Sequence, residues 1–415
     1  MADDAPWRPT VPEGRGQLSK RVAHTLSASR ESWTRRMFEL AAQLRLDRAA
    51  PVFDLSLGNP SLEPPPSWRK AVLELLADEP PGMHRYMTNA GFGEVRAFVA
   101  AHEAKRYGVP FEPNDVTMSV GAAGALNVLA QAMLDPGDEV LVPAPYFSEY
   151  EHYCGNVGAR LVVAPAGKNF ALDLAAIDRA IGPRTRWLLL NSPNNPTGVI
   201  YGEEELDGLA RLLIRANGGR GRAIAVIEDA PYRDLTYDGS EVPSMLTRYP
   251  DTVLVTSHSK DLGLAGERIG YLLVSPRMAD REGLVRAAAY CTRVLGFVNA
   301  PALMQRVLPR VLADPSGRVD VSVYARNCGR MAAALGELGF TMPTPRAGFF
   351  LFPALPEHLR GDTGGDVELT ERLVTERTIV VPGTAFGSPG YLRMSLAVDT
   401  ATVDGAIAAF RRICG

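Results

Sequence analysis

The sequence predicts an α/β chain, with a large domain of mostly parallel sheet flanked by helices and a smaller α+β domain. Three observations carry this. From Asp115 onward, apolar stretches such as DEVLVPAP, RWLLLNSP, AIAVIEDAP and TVLVTSHSK alternate with helical stretches. Strands apolar on both faces belong to parallel sheets covered by helices on both sides. The chain has 415 residues, more than one hydrophobic core usually serves, so two domains are expected. Beyond about Pro315 the alternation gives way to short strands and helices in a different order.

Taken in order, residues 1–18 are rich in Pro, Gly and charge and read as a loose arm. From Leu18 to Leu46 the pattern is helical, with Trp33, Met37, Leu40 and Leu44 at spacings of three and four. VFDLSLGNP gives a short strand ending at Gly58, and LEPPP forbids regular structure before a helix over Trp68–Ala77. A glycine-punctuated loop carrying Tyr86 leads into an amphipathic helix. DVTMSV, DEVLVPAP, ARLVVAP, RWLLLNSP, AIAVIEDAPY and TVLVTSHSK are the strands of the large domain, 51–315. Between them run GAAGALNVLAQAML, a helix over Leu174–Ile181 and one over Glu203–Asn217, whose Leu206, Leu209, Leu213 and Ala216 share a face. A helix over Arg318–Leu338 connects to GFFLFPAL, a helix near Leu369–Glu376, TIVVPG, YLRMSLA and a closing helix with Val403, Ile407 and Phe410. Residues 19–50 together with 316–415 form the smaller domain.

Bulk properties exclude several classes. The net charge is −3, and nothing resembles a basic stripe, which argues against nucleic acid as a partner. Cysteines 154, 291, 328 and 414 lie far apart, without CxxC or metal spacing, and read as reduced thiols. The N-terminus lacks a basic n-region with an apolar run, and no apolar run approaches eighteen residues. A soluble cytoplasmic protein without a metal is the expectation.

The chemistry-bearing residues fall at strand ends, where a parallel sheet places its ligand crevice. Lys260, one of only five lysines, is the one with an apolar strand leading to it. A lysine fixed there can be partly desolvated, which lowers its pKa and frees its amine for a Schiff base; taken alone, a lysine snorkelling at a strand end fits equally. Gly121, Ala122 and Ala123 open a helix, whose unpaired N–H groups suit a phosphate. Tyr146 and Phe147 follow DEVLVPAP and can stack on a planar ring or fill the core. NSPNNPTG fixes a rigid turn that holds Asn195 with its amide positioned to donate. Asp229 follows AIAVI, where a buried carboxylate needs a cationic partner, such as a protonated pyridine nitrogen, or else caps a helix. Tyr232 reaches the same place. Arg393, alternating with Leu392 and Met394, is a fork for a carboxylate or part of a salt bridge. Ser257-His258-Ser259-Lys260 matches SxxK, but no KTG or SDN follows. No P-loop occurs, and no GxGxxG sits at a strand-to-helix turn.

GAAGAL, APYF, NSPNNPTG, EDAPY, SHSK with GERIGY, and YLRMSLA together resemble the fold type I pyridoxal-phosphate aminotransferases, class I/II, of the aspartate aminotransferase superfamily. The likeness runs from about Val52 to the C-terminus. It implies pyridoxal 5′-phosphate as cofactor and Lys260 as the Schiff-base lysine and proton shuttle. It implies Asp229 as the partner of the pyridine nitrogen, with Asn195 and Tyr232 donating to the ring's phenolic oxygen. Ser257, Arg268 and the N–H groups of Gly121, Ala122 and Ala123 resemble a phosphate cup, and Phe147 the stacking ring. Tyr86 is similar to a tyrosine that crosses to the partner's phosphate in a homodimer with shared sites. Arg393 resembles the α-carboxylate fork, with Gly58 near the substrate's backbone and Asn195 also against the substrate. Ala122 and Ala123 stand where relatives often carry a hydroxyl, and Arg293 has no assigned role.

The activity implied is transfer of an amino group between an α-amino acid and a 2-oxo acid. γ-Elimination or replacement, as in proteins resembling aminocyclopropane-carboxylate synthase and possibly on S-adenosylmethionine, uses the same residues. A cofactor-sensing regulator is disfavoured, because the first fifty residues show no helix-turn-helix pattern and no basic patch.

Overall fold

A computed structural model describes residues 18–19, 22–23, 33–47, 50–314, 317–362 and 364–415. Most of the arm read at 1–18, and much of the helix read from Leu18, lie outside these; Trp33–Leu46 is helical. Two compact units emerge. One spans Asn59–Arg326 with Thr344–Gly348; the other joins the described residues up to Gly58 to Asn327–Pro343 and Phe349–Gly415.

The larger unit is built on a seven-stranded sheet: β1 Val116–Val120, β2 Glu139–Pro143, β3 Arg160–Ala164, β4 Thr185–Asn191, β5 Ala225–Asp229, β6 Thr252–Ser257 and β7 Ile269–Val274. Their order is β1-β7-β6-β5-β4-β2-β3. β2 through β6 pair in parallel, as their two-sided apolar pattern predicts. Only β7 runs against its neighbours β1 and β6. The link from Ser257 to Ile269 is too short for the dozen or more residues a parallel crossover takes.

Alternate residues of one strand feed opposite layers. Val140, Val142 and Leu189 join a cluster with Ala125, Leu129 and Leu284; Leu141, Leu188 and Leu190 join another with Leu206, Leu209 and Leu213. Burial of apolar surface on both faces holds the sheet rigid, at roughly 25 cal/mol per Å². Beside it stand α1 Gly93–Tyr107, α2 Gly121–Met133 and α3 Glu149–Asn156.

The smaller unit has two short sheets. Phe53–Asp54 pairs in parallel with Thr378–Ile379, so this segment belongs to the smaller unit, whereas the sequence reading drew its boundary at 51. Leu392–Ser395 is the middle strand between Val381–Pro382 and Phe350–Leu351, both antiparallel to it. Among the described residues, no helix is long and apolar enough to cross a membrane, and no group of three or more His, Cys, Asp or Glu could hold a metal ion. The four cysteines form no disulfide.

Candidate active site

Parallel pairing brings the C-terminal ends of β4, β5 and β6 to one edge, with Asn191 beside Asp229 and Asp229 beside Val255. Antiparallel β7 enters the sheet at that same edge, with Ile269 opposite Val120 and Gly270 opposite Ser257. The residues just before β7 therefore gather with those just after β1 and β6. Arg268 is one of them, and this is why a residue eight positions past Lys260 lies by the start of α2.

Asp229 sits at the centre of this edge, 6% exposed. Tyr150 donates its hydroxyl to Asp229 Oδ2 at 2.6 Å, while Oδ1 is buried and, among the described residues, accepts no hydrogen bond. Burial pushes the Asp229 carboxyl up to about 6, against the opposing pull of the Tyr150 bond. An acceptor so placed is complementary to a cationic N–H donor, and a second donor would lower its cost.

The NSPNNPTG turn is locked by its own amides. Asn191 Nδ2 donates to the Asp229 carbonyl at 2.7 Å, and Asn191 Oδ1 accepts from the Asn195 N–H at 2.6 Å. Asn194 Oδ1 accepts from the Thr197 N–H at 3.1 Å and from its hydroxyl at 2.8 Å. The peptides before Pro145, Pro193 and Pro196 are cis. Asn195 is 4% exposed, and Tyr232 is 7% exposed just after β5.

Gly121 opens α2 with φ +68°, and a Cβ there would stand 2.6 Å from Arg268 Nη2. Only glycine lets the guanidinium approach this helix N-terminus. Arg268 itself is left-handed, at φ 53°, and donates from Nη1 to the Ala265 carbonyl at 3.0 Å. Ser257 donates to Ser259 Oγ at 3.2 Å. Half-buried Ala122 and Ala123 form the first turn of α2. A helix N-terminus, a guanidinium and a serine hydroxyl thus share one corner, a donor set suited to a phosphate.

Phe147, half-buried, meets Tyr150 edge-on, with ring centroids 5.5 Å apart. Tyr146 turns elsewhere and donates to Glu151 at 2.5 Å. Lys260 is half-buried in the turn that follows β6. Tyr86 stands on the surface, 88% exposed. Arg293 is exposed near the end of the helix Arg281–Val294, its guanidinium 5.5 Å from the Tyr290 ring centroid.

In the smaller unit Arg393 is 1% exposed. It donates to the Ser56 carbonyl, and its guanidinium carbon lies 5.0 Å and 4.8 Å from the ring centroids of Phe350 and Phe386. A Cβ at Gly58 would come within 2.7 Å of Phe350 Cζ.

Sequence reasoning overlooked two contributors. Tyr150 lies three residues past Phe147, a helical spacing that puts both rings on one side. Asn191, the first residue of NSPNNPTG, orients the loop that carries Asn195.

Residues 50–410 match the family model described as aminotransferase class I and II. The chain belongs to that family. It is 30% identical over 395 residues to a probable aspartate/prephenate aminotransferase of Aquifex aeolicus (strain VF5), covering 92% of this chain and 94% of that protein. Among solved structures, an aminotransferase of Eubacterium rectale superposes with a TM-score of 0.88 at 32% identity, covering 96% of this chain and 98% of the other. Aspartate aminotransferase from Thermus thermophilus with maleate superposes with a TM-score of 0.83 at 28% identity, covering 96% and 100%. The chain is an aminotransferase, an enzyme of the class I/II transferases, and these relatives favour amino-group transfer over elimination or replacement.

Proposed function

We propose that this aminotransferase works with pyridoxal 5′-phosphate, attached through Lys260, to move an amino group between an α-amino acid and a 2-oxo acid. The observation that carries the reading is Asp229: a buried carboxylate with one oxygen left without a donor among the described residues, at the strand edge where a protonated pyridine nitrogen would supply one. When bound, the cofactor supplies an electron sink for the bond cleaved at the α-carbon.

The protein's own groups then divide the work. Asp229 keeps the ring nitrogen protonated, and Tyr150 holds Asp229 in its ionised form. Asn195 and Tyr232 donate to the ring's phenolic oxygen, and Phe147 covers one ring face. Ser257, Arg268 and the N–H groups of Gly121, Ala122 and Ala123 hold the phosphate. Lys260, whose amine would hold the cofactor as a Schiff base, would serve as the base and acid that carries the substrate's α-proton. Arg393 takes the α-carboxylate, with Gly58 near the substrate's backbone. Tyr86 completes the phosphate site of a second copy, which makes the working form a homodimer. A cytoplasmic location and a larger unit devoted to the cofactor go with this reading. Aspartate is the first donor to try, since relatives carry its name.

The test is titration of the cofactor-loaded protein with single amino acids in the absence of an oxo acid. The expected result is loss of the visible band with one equivalent of the matching 2-oxo acid, and none of either in Lys260→Ala. Consumption of the amino acid without that oxo acid would overturn the reading.

A further inference from the structure

Behind the turn that carries Lys260 lies a buried cluster for which the proposed chemistry has no use. His258 and Asp261 flank Ser259 and Lys260, and His258 Nδ1 lies 2.8 Å from Asp261 Oδ2. The two are 3% and 7% exposed. An ionised carboxylate only accepts, so Nδ1 carries the proton and donates. Among the described residues, His258 Nε2 and Asp261 Oδ1 are buried without hydrogen-bond partners, and both residues line a cavity of about 30 Å³ with Arg233 and Tyr271.

Backbone bonds anchor the same turn. The His258 N–H donates to the Ile269 carbonyl at 3.0 Å, the Leu264 N–H to the His258 carbonyl at 3.2 Å, and the Val319 N–H to the Asp261 carbonyl at 3.3 Å. The imidazole also leans on Tyr271, with ring centroids 5.9 Å apart. Tyr271 donates to Glu103 at 2.8 Å, and Glu103 accepts both terminal nitrogens of Arg233, each at 2.8 Å. Arg233 directly follows Tyr232. One buried framework on α1 thus braces the loop after β5 and the turn after β6.

We propose that the His258–Asp261 pair is a positioning element for Lys260. Its side-chain bridge spans the turn and fixes the backbone from which the lysine projects, while neither residue touches the reacting atoms. Shape alone would be met more cheaply by two apolar side chains, since a buried carboxylate is costly unless its bonds are needed. Fixing the turn matters because a displacement of about 1 Å can cost about 100-fold in rate. The inference rests on the reading of Lys260 as the residue that attaches the cofactor.

The experiment follows that attachment in apoprotein mixed with pyridoxal phosphate. Condensation of the lysine amine with the aldehyde forms a C=N bond and releases one water. Borohydride trapping at timed intervals, with peptide mass spectrometry, gives the rate at Lys260, and the melting curve of each apoprotein is recorded beside it. His258→Phe is expected to slow attachment by roughly 10–100-fold while still melting cooperatively. His258→Asn, which keeps an N–H toward Asp261, should restore most of the rate. Asp261→Ala should behave as His258→Phe does, and it decides the matter if His258→Phe does not fold. Attachment at the unaltered rate in both disrupting variants overturns the inference, as does a failure of His258→Asn to rescue. Trapping of the unaltered protein at another lysine brings down the reading of Lys260 and this inference together. Trapping at Lys260 with indifferent variants brings down the inference alone.

Discussion

Tyr150 donates to Asp229 at 2.6 Å, and among the described residues that is the one side-chain hydrogen bond the Asp229 carboxylate accepts. A carboxyl raised by burial from 3.8 to about 6 binds a proton more tightly folded than unfolded. Its contribution to stability is therefore complete below pH 3.8 and is lost as pH rises through about 6. The cost above that point is at most about 3 kcal/mol. Asp229→Asn removes the charge and keeps the shape, so its apoprotein should melt higher than the unaltered protein at neutral pH and equally at acid pH. The same variant should lose most cofactor affinity and transamination. Equal melting at neutral pH would show that the charge is better solvated than its burial implies.

Tyr150→Phe removes the bond that favours the ionised carboxylate, so the Asp229 carboxyl should rise further. Cofactor affinity of the apoprotein, measured against pH, should gain its strength near pH 6 in the unaltered protein and at higher pH in the variant. The bond is neutral donor to charged acceptor, worth about 1.5–3 kcal/mol, which sets a shift of roughly one to two pH units. Superimposable pH profiles would remove Tyr150 from the cofactor site.

Most of the large sheet was legible because its strands are apolar without alternation, and only burial on both faces accounts for that. The strand-end residues were legible for the same reason: Lys260 and Asp229 stand out after such runs. Tyr150 did not, because an aromatic residue three past Phe147 reads as helix packing, and its partner lies 79 residues away. The boundary near residue 51 was hidden because the pairing of Phe53 with Thr378 depends on a contact more than 300 residues distant in sequence. His258 and Asp261 were visible as letters within SHSKD, but a bond that closes only when the chain turns has no periodicity to announce it.

Arg393→Ala should leave the smaller unit folded, since the arginine's rings, Phe350 and Phe386, remain to cover the site. Loss of the guanidinium should weaken binding of every α-amino acid by about 2–5 kcal/mol, the usual cost of removing one partner of a buried charge pair. Initial rates over a range of amino acids check this. A loss confined to acidic substrates would assign Arg393 to the side chain rather than the α-carboxylate.

Glu103 tests the framework beneath the site. Burial raises its carboxyl, but the Arg233 charge and fork, with Arg106 and the Tyr271 hydroxyl, outweigh burial and hold it below the ordinary range. A depressed carboxyl contributes stability above its unfolded value and loses it as pH falls through the folded one. Glu103→Ala leaves Arg233 charged, 6% exposed and short of its fork, so urea unfolding should lose about 3–5 kcal/mol at neutral pH. The loss should shrink toward strongly acid pH, where the unaltered protein surrenders the same pair. Because Arg233 follows Tyr232 and Tyr271 supports His258, the variant should also slow cofactor attachment at Lys260. Full stability with slowed attachment would mean that the framework tunes the site without holding up the fold; the reverse would mean that it serves the fold alone.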